Sequence, residues 1–386
     1  MRKKKSLLFI RPDYHCSFFY RDEFRKLGWK ADILVNPDYP AILLYSKEDV
    51  LLPPMLTKSR YKLIRWLGHM VLLCWWLNQF WRYDFHVYYG RPPQFNFMEQ
   101  YLGLTWLFGK DFLVELWLAK LFGIKLIYLP PGCHDDESKE NFAKLDNGNV
   151  CDNCGVWNKC DDALNNINFS RIRRFFDMQI GNGSIDSSQF EMSHIKYKSI
   201  DLKLWQPNLV IPAEHQLAAT DNIRILHSNY LKGSSRDWQG RNIKGSPFIL
   251  AAIERLKQEG HHIEYFFIEN KPSKQMRFYQ AQADIVVEQL IFGWWGSTFV
   301  EAAALGKPVV CYLRPSWKAF FLKTFPEYDS LPIVEADTNT IYDALKKLVT
   351  DADYRRQKGE ESRQFAEVHF DPEKNTKTFM KILETL

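Results

Sequence analysis

The sequence has no uninterrupted apolar run of the roughly 20 residues that a membrane-spanning helix needs. Its most apolar segment, residues 61–81, is unbroken only from Met70 to Leu77. A secretory signal is missing as well. Arg2, Lys3, Lys4 and Lys5 precede an apolar run, Ser6 to Ile10, but Arg11, Pro12 and Asp13 end it short of the about 7–15 residues of an h-region. Seven Cys without such a signal argue for a reducing compartment and against disulfides, so a cytoplasmic protein is expected. No internal repeat stands out. There is no RNA-binding motif and no dense basic run beyond Arg2 to Lys5, so no nucleic-acid partner is expected.

What is present is ordinary in bulk and uneven in detail. The 386 residues suit two domains, each able to bury its own core. Apolar residues make up 46 % and charged residues 25 %, as in a globular protein. Aromatics reach 15 %, with 13 Trp. Such rings stack on sugars or sit at a membrane interface, and they also simply fill cores. The net charge of +5 is concentrated early: residues 1–130 hold 19 Lys and Arg against 11 Asp and Glu. A basic first half suits an anionic acceptor or an anionic membrane surface, and also a merely solvated face.

Strand and helix patterns alternate along the chain. Ser6 to Ile10 reads as a buried strand, Arg11 to Phe19 as a loop, Tyr20 to Leu27 as a helix closed by Gly28, and Ala31 to Val35 as a second strand. Further strands are expected at Phe85 to Tyr89, Lys125 to Leu129, Met178 to Gly181 and Ile195 to Lys198. Asp201 to Pro207 reads as a linker. Strands at Ile223 to His227, Ile263 to Glu269, Ile285 to Val287 and Pro308 to Leu313 then alternate with helices. This predicts two doubly wound α/β domains, which bind ligands beyond the carboxyl ends of their strands. Residues 61–81 read either as a core helix or as a helix in a membrane interface, with Arg60, Lys62, Arg65 and Arg82 at its ends.

Two segments carry the chemistry. In Asp284 to Leu313 a strand ends near Glu288, a loop holds Gly293 and Gly296, and a helix opens near Ser297 and Thr298 with Glu301 in its first turns. A glycine-lined helix start presents free N–H groups and a positive dipole end to an anion. Glu301 beside it can accept hydrogen bonds from ribose hydroxyls, or can merely complement the helix dipole. In the second segment Arg241 and Lys244 stand three apart before a helix, a compact site for phosphate or two solvated cations.

The run Glu301-Ala302-Ala303-Ala304-Leu305-Gly306-Lys307-Pro308-Val309, after its Gly loop, resembles the donor signature of GT-B glycosyltransferases, especially those called group 1 or family 4. The resemblance covers the chain from about Ile223 onward. It implies two Rossmann-like domains facing a cleft: residues 1–200 on the acceptor side, 208–370 binding the nucleotide-sugar, and a helix at 371–386 crossing back to the first domain. It implies that Glu301 binds the ribose, that amides near Gly296, Ser297 and Thr298 face the diphosphate, and that Arg241 and Lys244 bind that diphosphate and stabilise the leaving group. Many members carry another Glu eight positions before the ribose Glu, on the donor sugar; here that position is Gly293.

The implied activity moves a sugar from a UDP- or GDP-sugar to a saccharide or lipid-linked acceptor, in surface polysaccharide, lipopolysaccharide or glycolipid synthesis, with retention of configuration. Cations on the leaving diphosphate make a catalytic metal unnecessary. Rival readings are a nucleotide-sugar epimerase and a degenerate, non-enzymatic scaffold at the membrane. Asp13 and His134 are the candidate acceptor-side catalytic groups, with His15 and Asp135 beside them. Cys133, Cys151, Cys154 and Cys160 lie in a Cys-rich insert at 133–160, assigned to the first domain. Their thiolates suit a structural Zn²⁺, an iron–sulfur cluster, or no ligand at all.

Overall fold

The computed structural model describes residues 5–35, 44–46, 49–51, 59–90, 108–130, 139–144, 150–155, 160–181, 194–228, 237–238, 241–268 and 271–386. Cys133, His134, Asp135 and most of the insertion before Arg241 lie outside these residues. The chain forms two compact units. The first comprises Met1–Ser138, Asp161–Tyr197 and Pro372–Leu386; the second comprises Lys139–Cys160 and Lys198–Asp371.

In the first unit the strands are β1 Ser6–Ile10, β2 Lys30–Val35, β3 Val50–Leu51, β4 Phe85–Tyr89, β5 Lys125–Leu129 and β6 Met178–Gln179. They form one parallel sheet in the order β3-β2-β1-β4-β5-β6. That is the doubly wound order whose direction reverses between its first and fourth strands. The apolar β1 is covered on both faces, as parallel strands are. Leu7 and Phe9 enter one buried cluster, Leu8 and Ile10 the other.

Helix α1, Cys16–Lys26, follows β1. It begins four residues earlier than its sequence suggests, because Phe18, Phe19 and Tyr20 must all be buried. It ends on Gly28, at φ +80°, where Trp29 N–H reaches back to Phe24 O at 2.9 Å. Helices α2 Lys62–Phe80, α3 Val114–Leu121, α5 Asp162–Phe175 and α6 His194–Tyr197 complete the described middle of this unit; α4, Lys139–Lys144, belongs to the second. The expected strand at Ile195 to Lys198 is instead the short α6. Its Tyr197 carbonyl is taken by Tyr20 Oη at 2.7 Å rather than by a neighbouring strand. The last helix, α13 Pro372–Thr385, lies in the first unit, with the Phe379 ring edge-on to Tyr20 and Phe24 at 5.6 and 5.7 Å.

The second unit has β7 Ile223–Ser228, a two-stranded antiparallel hairpin of β8 Asp237–Trp238 and β9 Arg241–Asn242, then β10 Ile263–Ile268, β11 Ile285–Val287, β12 Val309–Cys311 and β13 Val334–Glu335. Its parallel sheet runs β10-β7-β11-β12-β13, the other common doubly wound order. Helices α7 Ser246–Gln258, α8 Met276–Gln280, α9 Ser297–Ala304, α10 Pro315–Thr324, α11 Ile341–Thr350 and α12 Ala352–His369 flank it. The segment from Asp201 to Pro207, expected as a linker, is packed: Trp205 is fully buried, and its carbonyl accepts from Arg363 Nη1 at 3.0 Å. The Cys-bearing residues 139–160 cluster with this unit, contrary to their expected place in the first. Cys spacing carries no signal of which core a segment packs on. Phe142 does: its ring is 6.0 Å from Phe292.

Helix α12 lies against the end of α9, where a β-carbon built at Gly359 would fall onto the carbonyl oxygen of Gly306. Helix propensity alone would make Gly359→Ala stabilising by about 1 kcal/mol. Backbone cannot yield as a side-chain tip can, so the substitution is expected to cost about 1–3 kcal/mol instead. Thermal unfolding checks this: a lowered midpoint is expected, and an unchanged or raised one would show that the two helices separate freely.

Candidate functional site

In the second unit the sheet direction reverses between β7 and β11, so the loops after these strands frame the place where a ligand binds in such a sheet. The two loops are joined directly. Leu290 N–H donates to Lys244 O at 3.1 Å, and a β-carbon at Gly245 would stand 3.0 Å from that of Leu290. Gly245, at φ +77°, takes the turn into α7 that a side chain would disfavour.

Lys244 is held from below. Asn242 Oδ1 accepts from the backbone N–H of Lys244 at 3.0 Å and of Ser246 at 3.2 Å, which ties the turn before α7 to its first residue. His227, the next-to-last residue of β7, is fully buried. Its Nδ1 lies 2.9 Å from Val287 O, which can only accept, so Nδ1 carries the proton. Nε2 therefore accepts from Ser246 Oγ at 2.7 Å. Burial, then the charge of Lys244, push this imidazole down to about 4, so it is neutral and the chain Val287–His227–Ser246 has a fixed direction.

Across from Lys244, Glu301 lies buried on α9 and accepts from Gln280 Nε2 at 2.6 Å. Burial pushes its carboxyl up to about 8; the bond from Gln280 and the charge of Lys244 oppose the shift, and Glu288 adds to it. Glu288 is also buried, and its Oε1 accepts from Gly296 N–H at 2.7 Å. A carboxylate thus already stands at the positive end of α9. A β-carbon at Gly296 would come within 2.8 Å of that oxygen, which accounts for the glycine there. Ser297 and Thr298 open the helix beside it.

Gly293 sits at φ +88°, and a β-carbon there would meet Arg314 Cβ at 2.7 Å and Tyr312 at 3.2 Å. The buried Arg314 binds this loop twice, through its backbone N–H to Gly293 O at 2.7 Å and Nη2 to Phe292 O at 3.2 Å. No side chain can stand at residue 293 without displacing Arg314, so the glutamate that many resembling sequences carry there has no room. Arg241, half-buried, reaches the carbonyl of Cys151 at 3.4 Å.

The second unit therefore brings together Lys244, Gly293, Gly296, Ser297, Thr298 and Glu301, with Arg241 on the hairpin strand leading to Lys244. The sequence reading missed Glu288, His227, Asn242 and Gln280. Of these, only Asn242, two residues before Lys244, has a recognisable signature, that of a side chain that bonds the backbone of the turn after it.

The thiol of Cys151 is pushed up to about 11 by burial and by neighbouring Cys160 and Cys154. Among the described residues no group of three or more His, Cys, Asp or Glu side chains is arranged to hold a metal ion. Of the expected zinc set, Cys133 lies outside those residues.

In the first unit the sheet reverses between β1 and β4. The loop after β1 carries two non-glycine residues in the left-handed region, Arg11 at φ 69° and Tyr14 at φ 45°. Each costs on the order of 1–3 kcal/mol, a strain that clusters at functional loops. Between and beside them Asp13 and His15 are buried. Asp13 N–H donates to Ser17 Oγ at 2.9 Å, and its carbonyl accepts from Cys16 N–H at 3.0 Å, which pins the loop to the start of α1.

The buried acid has a measurable consequence. Glu301 titrates near 8 when folded against an ordinary 4.5, so the unfolded chain loses its proton first as pH rises and stability falls over that window. His227, depressed from 6.5 to about 4, gives the opposite slope below 6.5. Between about 6.5 and 8 the Glu301 slope is unopposed by His227, at up to about 1.4 kcal/mol per pH unit. Denaturant unfolding of the ligand-free protein should show stability declining over that interval, and Glu301→Gln should flatten it. An identical slope in the variant would place the titrating group elsewhere.

No family model matches the chain, and no curated protein matches it. Solved structures do. Sucrose-phosphate synthase from Thermosynechococcus elongatus matches with a TM-score of 0.59 and 14 % identity, covering 99 % of each chain. HepE of Anabaena, in complex with UDP and glucose, matches at 0.56 and 14 %, covering 99 % of this chain and 100 % of that one. A Listeria monocytogenes structure described as a UDP-N-acetylglucosamine 2-epimerase matches at 0.52 and 10 %, covering 99 % and 96 %. At such identities the likeness is one of fold, and the fold is that of the GT-B glycosyltransferases.

Proposed function

We propose that the protein is a glycosyltransferase that takes a sugar from a nucleotide-sugar, with UDP as the favoured carrier, and passes it to a saccharide or lipid-linked acceptor. The observation that carries this reading is the gathering of Lys244, the start of α9 and the buried Glu301 around the β7–β11 reversal. The binding of UDP and glucose by HepE, a protein of the same fold, supports the choice of carrier.

In this reading Glu301 accepts hydrogen bonds from the ribose hydroxyls. The diphosphate lies at the start of α9, where Ser297 and Thr298 continue the N–H groups beyond Gly296, and Lys244 and Arg241 neutralise it. As the bond from the sugar's C1 to the phosphate oxygen breaks, negative charge grows on the departing diphosphate. Fixed cations lower that barrier most where water is excluded, and no divalent metal is required. The acceptor oxygen bonds to C1 on the face the diphosphate leaves, its proton passes to the departing phosphate, and configuration is retained. Asp13 and His15, on the strained loop after β1, are the proposed acceptor contacts.

The Listeria structure favours a second reading, epimerisation of the nucleotide-sugar without an acceptor. Calorimetric titration with UDP, GDP and their sugars, with and without chelator, separates the possibilities. Saturable binding of UDP, unaffected by chelator, is expected. Lys244→Ala should weaken it about ten- to a hundredfold, the worth of a charge-assisted hydrogen bond, and lower turnover by about 10²–10³. Conversion of the nucleotide-sugar without acceptor would establish the epimerase. Undiminished UDP affinity in the Lys244 variant would overturn the site.

A further inference from the structure

One surface of the first unit is unlike the rest of the described protein. Helix α2 buries Gly68, Leu72, Trp76, Gln79 and Phe80 against its own unit. Its other side is apolar yet open: Leu63 is 68 % exposed, Trp66 45 %, Leu67 47 % and Val71 55 %, and Trp81, just past its end, 78 %. The patch continues onto the end of α3, where Leu121 is 63 % exposed and the half-exposed Phe122 ring lies 5.3 Å from that of Trp81. Solvated helices carry polar residues on such a face, and contiguous apolar surface of this kind marks an interaction site.

The charge around this patch has one sign. Residues 60–82 contain Arg60, Lys62, Arg65 and Arg82 and no Asp or Glu. None of these four forms an ion pair among the described residues. On α3 the one acid, Glu115, is buried, and Lys120 is paired to Asp177 at 2.6 Å.

We propose that the α2–α3 face lies on an anionic lipid bilayer, with α2 parallel to the membrane plane. Three arguments favour this occupant. No helix of the described residues is long and apolar enough to cross a membrane, so the apolar side can enter only the interface. Trp66 and Trp81 occupy both ends of the face, and amphipathic rings of this kind partition to the headgroup level. Finally, a second copy would bring its own four unpaired cations against these four in a two-fold contact, which is repulsive, whereas an anionic surface compensates them.

The test uses the full chain and vesicles of phosphatidylcholine, with or without phosphatidylglycerol, read by co-sedimentation. Binding to the phosphatidylglycerol vesicles is expected, weakened by salt, with little binding to phosphatidylcholine alone. The triple variant Arg60→Gln, Lys62→Gln, Arg65→Gln should lose about a hundredfold in partitioning, at about fivefold per cation. Trp66→Glu with Val71→Glu should abolish it while circular dichroism and thermal midpoint stay unchanged, since both side chains are exposed. Absence of binding to the anionic vesicles, equal binding to neutral ones, or intact binding by the two folded variants would overturn the proposal. So would a concentration-dependent dimer dispersed by the same substitutions, which would assign the face to a second copy.

Discussion

Three ionisable side chains, Lys244, Glu288 and Glu301, are buried together at the carboxyl edge of the second unit's sheet, and the local order follows from keeping them compensated. A lone charge in that position would be costly. Gln280 donates to Glu301, the Gly296 amide donates to Glu288, and Asn242 and Ser246 fix the backbone under Lys244. Each compensating group dictates a residue: glycine at 296, because Glu288 needs its amide at close range, and a neutral His227, because Ser246 needs an acceptor beneath it. Burial raises the Glu301 carboxyl to about 8, so the ligand-free site keeps a proton there at neutral pH. A bound polyanion would meet Lys244 and the helix start, and a diol would meet Glu301.

The doubly wound rhythm was legible because it rests on local physics. A run such as Ser6–Ile10 buried on both faces can hardly be anything but an interior parallel strand, and Gly28 announces the end of α1. The strand orders were not legible, since nothing in a strand's own residues says which neighbour it will take. Short elements misled for the opposite reason. Ile195 and Tyr197 alternate as strand residues do, yet Tyr197 is buried against the Tyr20 ring, which stacks on it at 5.2 Å.

In the candidate site, what could be read was what depends on chain-local spacing: a glycine loop, a helix start, a carboxylate one turn on, two cations three apart. Glu288 could not be read, because its role is set by a hydrogen bond to an amide eight residues away across a turn with no periodicity. His227 looked like any strand residue. Its importance comes from contacts to Val287 and Ser246, which are 60 and 19 residues distant. The four-cysteine pattern is of another kind: spacing states that thiols could converge, and Cys151 does have Cys154 and Cys160 for neighbours, while Cys133 lies outside the described residues.

Gly293 and Arg314 interlock, and this limits the routes by which the loop can change. A side chain at 293 clashes with Arg314 and must also adopt a backbone conformation that suits glycine. Shortening Arg314 first would release the Phe292 carbonyl and the loop it holds. Either single step is therefore a loss, and only the two together with a rebuilt turn could place a carboxylate there. Descendants of this sequence are expected to keep the pair or lose both.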